Sequence, residues 1–224
     1  MAIILGIETA TKNCSVALFE DGIVIAEKEC ISDGYEHAEQ LTFFIQDVID
    51  SANITLNKVE AVALSMGPGS YTGLRIGTST SKGLCYALDI PLISISTLKA
   101  MAFAMSKNEK SAIFCPMVDA RRMEVFSALY DVNNKQVRAV QADIVDENTY
   151  AKFLENEIIF FGDGSLKCQE IIIHKNAKFI ERIHPSAKNL GILAEAKFEN
   201  TDFEDVAYFE PYYLKDFVAG KKKA

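Results

Sequence analysis

Residues 2–7, Ala-Ile-Ile-Leu-Gly-Ile, form a nearly unbroken apolar run, the pattern of a strand covered on both faces. A polar turn from Thr9 to Asn13 separates it from Cys14–Phe19, and Asp21-Gly22 separates that run from Ile23–Glu29. Asp-Gly between apolar segments is a hairpin signal, because both residues tolerate the positive φ that a two-residue turn needs. An antiparallel three-stranded meander is therefore predicted. The period then changes. Leu41, Phe44, Ile45, Val48, Ile49 and Ala52 recur at helical spacing, which predicts an amphipathic helix over 36–52. Val59–Leu64 reads as a short buried strand, Tyr71–Leu88 as a helix, Pro91–Ser94 as a strand and Thr97–Met105 as a helix. Strands alternating with helices predict a parallel part to the sheet.

Polar residues at Ser106–Ser111 suggest a boundary between two lobes, 1–106 and 107–206. The second lobe is expected to be smaller. Its predicted strands are Ile113–Val118, Glu124–Tyr130, Gln136–Ala142, Ile158–Phe161 and Phe179–Ile183. Its predicted helices run from a cap at Asp146 to Leu154, from Ser165 to Ile173, and over Ser186–Phe198. The aromatic segment 207–220 is expected to dock back on the first lobe, leaving 221–224 as a basic tail. The predicted class is α/β, two lobes with mixed sheets flanked by helices.

Composition narrows the function. The chain has 224 residues, 49% of them hydrophobic, and a net charge of −8, which argues against its holding nucleic acid unaided. Cys14, Cys30, Cys85, Cys115 and Cys168 are scattered and odd in number, as expected of reduced thiols in a cytoplasmic protein. No signal peptide or membrane span is expected.

The most informative stretch is 62–77, an apolar strand running through Gly67-Pro68-Gly69 into a helix capped by Ser70. Such a junction points backbone N–H groups and a positive dipole end at one spot, an inviting place for an anion. It is not a Walker A loop, since it lacks the Lys-Ser/Thr pair, and Pro68 removes one donor. The helix itself is unusually small-sided: Gly73, Gly77, Thr78, Ser79, Thr80, Ser81 and Gly83. An interior glycine costs about 1 kcal/mol against alanine, so something is expected to approach closely, either the lobe's own sheet or a helix of another subunit. Thr9 and Thr11 in the first hairpin turn offer hydroxyls and N–H groups to a phosphate, or form an ordinary polar turn. Arg75 could pair with a phosphate or with a partner's carboxylate. Gly162-Asp163-Gly164-Ser165, between a strand and a predicted helix, reads as an ordinary turn or a second phosphate loop, and Arg121-Arg122 as a solvated loop able to meet an acidic ligand. His37, His174 and His184 have no metal-ligand spacing, and no catalytic Ser-His-Asp or Cys-His pattern is legible.

These motifs carry a resemblance. Leu5–Leu18 is similar to the first phosphate motif of actin-like (ASKHA, ribonuclease H-like) lobes, and Ser65–Gly77 resembles the signature of the TsaB (YeaZ) family. His37–Leu41, Ser96–Leu98, Met117–Arg122 and Pro211–Lys215 match in order along the chain. The resemblance implies a two-lobed actin-like fold and a part in making threonylcarbamoyladenosine beside the tRNA anticodon. It implies a scaffold subunit without catalytic residues or metal that dimerises with TsaD, with the ATPase TsaE as second partner and tRNA reached only through the complex. The His pair that TsaD-like proteins carry on a first-lobe helix has no counterpart in Thr97–Met105.

In that family the equivalents of helices 36–52 and 71–88 pair with those of TsaD. The expected interface is therefore Leu41, Phe44, Ile45 and Val48 with Thr72, Leu74, Arg75, Gly77, Thr78 and Ser81. Gly77→Leu is accordingly expected to spare the lobe and break the heterodimer, and the same surface would form a homodimer in isolation. No tightly bound cofactor is expected. ATP or ADP is expected near the subunit junction, with Thr9, Thr11, Gly67, Gly69 and Ser70 as its phosphate vicinity. The competing reading is an autonomous actin-like small-molecule kinase, for which Asp119 and Asp163 are the available carboxylates. A metalloprotease ranks below both.

Overall fold

The computed structural model describes residues 2–32, 36–107 and 112–215. Two five-stranded mixed sheets make up its frame. The first has spatial order β3-β2-β1-β4-β5, from β1 (Ile3–Glu8), β2 (Asn13–Glu20), β3 (Ile23–Ile31), β4 (Ala61–Ser65) and β5 (Leu92–Ile95). β1, β2 and β3 form the antiparallel meander, while β4 and β5 add in parallel to β1. The second sheet, order β10-β9-β6-β7-β8, repeats this plan. Its strands are β6 (Ile113–Asp119), β7 (Glu124–Tyr130), β8 (Gln136–Ile144), β9 (Ile158–Phe161) and β10 (Ala177–Ile180). Here β6, β7 and β8 are antiparallel and β9 and β10 parallel. The repeat is one of topology.

Apart from its edge strand β3, the first sheet is buried on both faces, which is why β1 is apolar at nearly every position. Leu5 and Ile7 join Val16, Leu18, Val62 and Leu64 beneath α1 (His37–Ser51) and α2 (Tyr71–Leu88). Ile4 joins Phe19, Ala61 and Ala63 on the opposite face. α2 starts at Ser70, whose Oγ accepts from the Gly73 N–H at 3.3 Å, and stops at Asp89, which adopts the left-handed conformation with φ 55°.

Two helices cross between the sheets. α3 (Thr97–Ser106), expected in the first lobe, sets Leu98, Met101 and Ala102 into the core of the second sheet. Residues 187–199, expected in the second lobe, return to the first. A 3-10 turn (Ala187–Asn189) and α4 (Gly191–Glu199) bring Ala187, Leu190 and Ala194 against Ile4 and Phe19. The predicted helix over 186–198 thus begins five residues late. The strand predicted at 179–183 is shifted to 177–180, where it pairs with β9.

The other two predicted second-lobe helices do not form. Residues 147–155 are a series of turns, closed by bonds such as Ala151 N–H to Asn148 C=O at 3.1 Å. Asp146 Oδ1 accepts from the Asn148 N–H at 3.0 Å and from Thr149 Oγ1 at 2.7 Å, offering the backbone a turn in place of a helix. Tyr150 is then drawn inward, its hydroxyl 2.9 Å from Ser127 Oγ. After β9 only a 3-10 turn (Leu166–Cys168) remains of the helix predicted to 173. The segment 203–215 runs back over the first lobe. Phe209 enters its core, the Tyr212 N–H donates to Met66 C=O at 2.8 Å, and Lys82 Nζ donates to the Ala207 and Phe209 carbonyls. The tail 221–224 and most of Ser106–Ser111 lie outside the described residues.

Candidate functional site

The junction at 65–77 sits against the β1–β2 turn, and several of its donors are committed within the chain. The Ser70 N–H, the natural first donor to an anion at α2, donates to Ala10 C=O at 2.7 Å. Thr9 Oγ1 donates to Gly73 C=O at 2.8 Å, Thr11 Oγ1 accepts from the Asn13 N–H at 3.4 Å, and the Gly67 N–H donates to Thr97 Oγ1 at 3.1 Å. His37, buried in the first turn of α1, places Nε2 2.7 Å from Thr11 C=O and pins the same turn. Burial lowers its affinity for a proton.

The space is filled as well. A Cβ added at Gly73 would lie 2.0 Å from Thr9 C=O, one at Gly77 2.3 Å from Thr9 Oγ1, and one at Gly69 2.3 Å from Ala10 C=O. The small residues of α2 therefore admit the chain's own first turn. At Gly73 and Gly77 no room is left for a partner helix, so Gly77→Leu would break the lobe itself, whereas Gly83 faces open space. Of the expected phosphate vicinity, Thr9 bonds to Gly73 and Ser70 to Ala10, while Thr11 bonds to Asn13 and Gly67 to Thr97.

Burial also corrects the expected interface. Leu41, Phe44, Ile45 and Val48 of α1 and Leu74, Gly77, Thr78 and Ser81 of α2 are all buried within this chain. Of the expected set only Thr72 and Arg75 are exposed. The outward faces carry Thr42, Phe43, Gln46, Asp47 and Asp50 on α1, and Thr72, Arg75, Ser79, Gly83 and Tyr86 on α2. Phe43 is 71% exposed and Tyr86 88%. Between the helices runs a groove of about 460 Å³, lined by Ile45, Gln46, Ile49, Ile54, Thr80 and Leu84 among others. The sequence held a signal for Phe43, an aromatic outside the apolar stripe of its own helix.

Where the strand ends of the two sheets meet, Glu8 is wholly buried. Its Oε1 accepts from the Ala10 N–H at 2.5 Å, and burial pushes its carboxyl up to about 7, helped by the charge of Asp163 from the second sheet. Burial raises Asp163 too, and its Oδ1 accepts from the Asp119 N–H at 3.0 Å. Asp119 is held by Lys167. The two carboxylates a kinase would need are thus committed to the protein itself. Among the described residues no three His, Cys, Asp or Glu side chains converge where a metal could sit, and no helix is long and apolar enough to cross a membrane. Sequence reasoning missed a buried network in the second sheet. There Arg138 pairs with Asp143 (Nη1 to Oδ2 2.8 Å), and Ser127 and Tyr150 bond the same carboxylate. These four groups satisfy one another and hold β7, β8 and the 147–155 turns together.

Duplicated mixed sheets, crossed by two helices and meeting at their strand ends, define an actin-like protein whose phosphate turn is closed. Residues 34–223 match the family model described as TsaD: tRNA N6-adenosine threonylcarbamoyltransferase. The chain is 32% identical to the tRNA threonylcarbamoyladenosine biosynthesis protein TsaB of Escherichia coli K12, over 98% of this chain and 97% of that protein. It is 29% identical to TsaB of Bacillus subtilis, over 75% of this chain and 74% of that one. In fold it resembles YeaZ from Pseudomonas aeruginosa, with a TM-score of 0.79, 24% identity, and coverage of 96% of this chain and 100% of that structure. The chain belongs to the TsaB (YeaZ) family, and its role lies in tRNA threonylcarbamoyladenosine biosynthesis.

Proposed function

We propose that this chain is a non-catalytic subunit that docks on TsaD and supports threonylcarbamoyl transfer to the adenosine beside the tRNA anticodon. The observation that carries the reading is the closed first turn. The Ser70 N–H, the Gly67 N–H and the Thr9 hydroxyl all bond inside the chain, and glycines that would leave room for a phosphate admit backbone instead. Phosphoryl transfer needs those donors and a metal-holding carboxylate aimed at one substrate, so the kinase reading loses its footing.

What α1 and α2 leave outward supports docking. The groove between the helices, with Phe43 exposed on α1 and Tyr86 exposed on α2, supplies the recess and the aromatic anchors that protein interfaces use. A second copy of this chain would use the same face when TsaD is absent. TsaE and tRNA join through the heterodimer, with ATP or ADP near the junction. Light-scattering chromatography tests the reading. A mixture with TsaD should give a stable heterodimer, and Phe43→Asp with Tyr86→Asp should give two separate peaks. No complex with the unsubstituted chain, with or without nucleotide, would refute docking.

A further inference from the structure

We propose that the β6–β7 turn and the aromatic stack at the start of α2 form a direct contact surface for RNA. The inference rests on the reading above and carries it from a subunit that meets tRNA through its partner to one that touches the nucleic acid itself. Arg121 and Arg122 are consecutive residues in the left-handed conformation, with φ of 71° and 51°. Asparagine or glycine is the ordinary choice there, because a bulky side chain is strained. Strain that survives in a fold points to a use for the side chains it presents. Both arginines are exposed, and neither guanidinium meets a carboxylate among the described residues. The cations around them are occupied: Lys167 is paired with Asp119, and Lys215 with Glu124 at 2.6 Å.

A chain of contacts links the turn to the start of α2. The Glu124 N–H donates to Arg121 C=O at 3.1 Å, Lys215 ties Glu124 to the C-terminal segment, and Tyr213 of that segment stacks on Tyr71 with ring centroids 4.2 Å apart and planes 9° apart. Arg75 lies over the Tyr71 ring at 4.9 Å. Two unmatched guanidinium forks, tied through Glu124 and Lys215 to the segment that carries an aromatic stack, suit a phosphate chain with unpaired bases better than they suit a protein carboxylate. The body of the chain carries a net charge of −8 and repels RNA, so a single basic patch would also fix the direction from which RNA is met. Tyr71 and Arg75 of the stack belong to α2, one of the two helices proposed for docking.

The test uses the complex of this chain with TsaD and a fluorescein-labelled unmodified tRNA transcript, read by anisotropy across a salt series. Arg121→Asn with Arg122→Asn keeps residues that accept the left-handed backbone. The variant complex should elute and melt unchanged. Its Kd for the transcript should rise about tenfold, with a salt slope shallower by about 1 to 2, since each lost phosphate contact removes about 0.9. Arg121→Lys with Arg122→Lys, which keeps both charges, should recover most of the slope, and KM for tRNA should move more than kcat. Wild-type affinity and slope in the asparagine variant would overturn the proposal. So would unchanged RNA binding with lost affinity for TsaE, which would make the occupant a protein. If the unsubstituted chain forms no complex with TsaD, the docking reading fails instead. The same transcript titrated onto this chain alone then decides the RNA contact.

Discussion

Glu8→Gln probes the junction between the sheets through its protonation. The folded chain holds the Glu8 carboxyl at about 7 against an ordinary 4.5, chiefly because it is buried and secondly because Asp163 faces it. A raised carboxyl stabilises the fold while protonated. Its contribution is fully present below the unfolded value and is lost as pH rises through the folded one. At about 1.4 kcal/mol for each tenfold change, the gap from 4.5 to about 7 amounts to about 3 kcal/mol, most of it lost between about pH 5 and about pH 8. Glutamine keeps the acceptor for the Ala10 N–H, at 2.5 Å in the native chain, and cannot ionise. Urea denaturation of both proteins across that range should show the variant gaining on the native chain by about 2 to 3 kcal/mol at the alkaline end. A difference that stays constant with pH would refute the burial of an ionisable carboxyl at this junction.

Gly77→Ala and Gly73→Ala should each destabilise the first lobe by about 2 to 3 kcal/mol, because the new Cβ meets Thr9 at 2.3 and 2.0 Å, and thermal melts would show it. Native stability in both would mean that the turn does not sit on α2. Asp143→Ala should cost about 3 to 5 kcal/mol by stranding the half-buried Arg138 guanidinium, whereas Tyr150→Phe, which removes only a hydroxyl, should cost about 1 to 2. Equal losses in those two variants would contradict the order of the network. Phe43→Asp with Tyr86→Asp, both on the outer surface, should shift stability by no more than about 0.5 kcal/mol while preventing docking.

Local periodicity made most of the first sheet readable. The Asp21-Gly22 turn, the stripe from Leu41 to Ile49, and the Ser70 cap each act over a few residues, and the structure places β2, α1 and α2 accordingly. The second sheet was less legible because its connections are decided elsewhere. The 147–155 segment has helical spacing, but Asp146 and Thr149 close turns on themselves, and Tyr150 is claimed by Ser127 and Asp143. Periodicity reports that a face is apolar, not which surface will cover it, so it did not show that α3 packs on both sheets or that residues 187–199 return to the first. The same limit applies to the expected interface. A stripe such as Leu41, Phe44, Ile45 and Val48 is what a helix buries in its own fold, and Phe43, off the stripe, is what α1 leaves exposed. The small residues of α2 did signal a close approach, and only the structure identified Thr9 as the neighbour.

The most direct test of the scaffold role is threonylcarbamoyladenosine formation on unmodified tRNA, with TsaD, TsaE and threonylcarbamoyl-adenylate supplied, in the presence and absence of this chain. Product is expected only when the chain is present, and Phe43→Asp with Tyr86→Asp should lose activity in step with the loss of heterodimer. Equal formation with and without the chain, or full activity from a variant that no longer binds TsaD, would contradict that role.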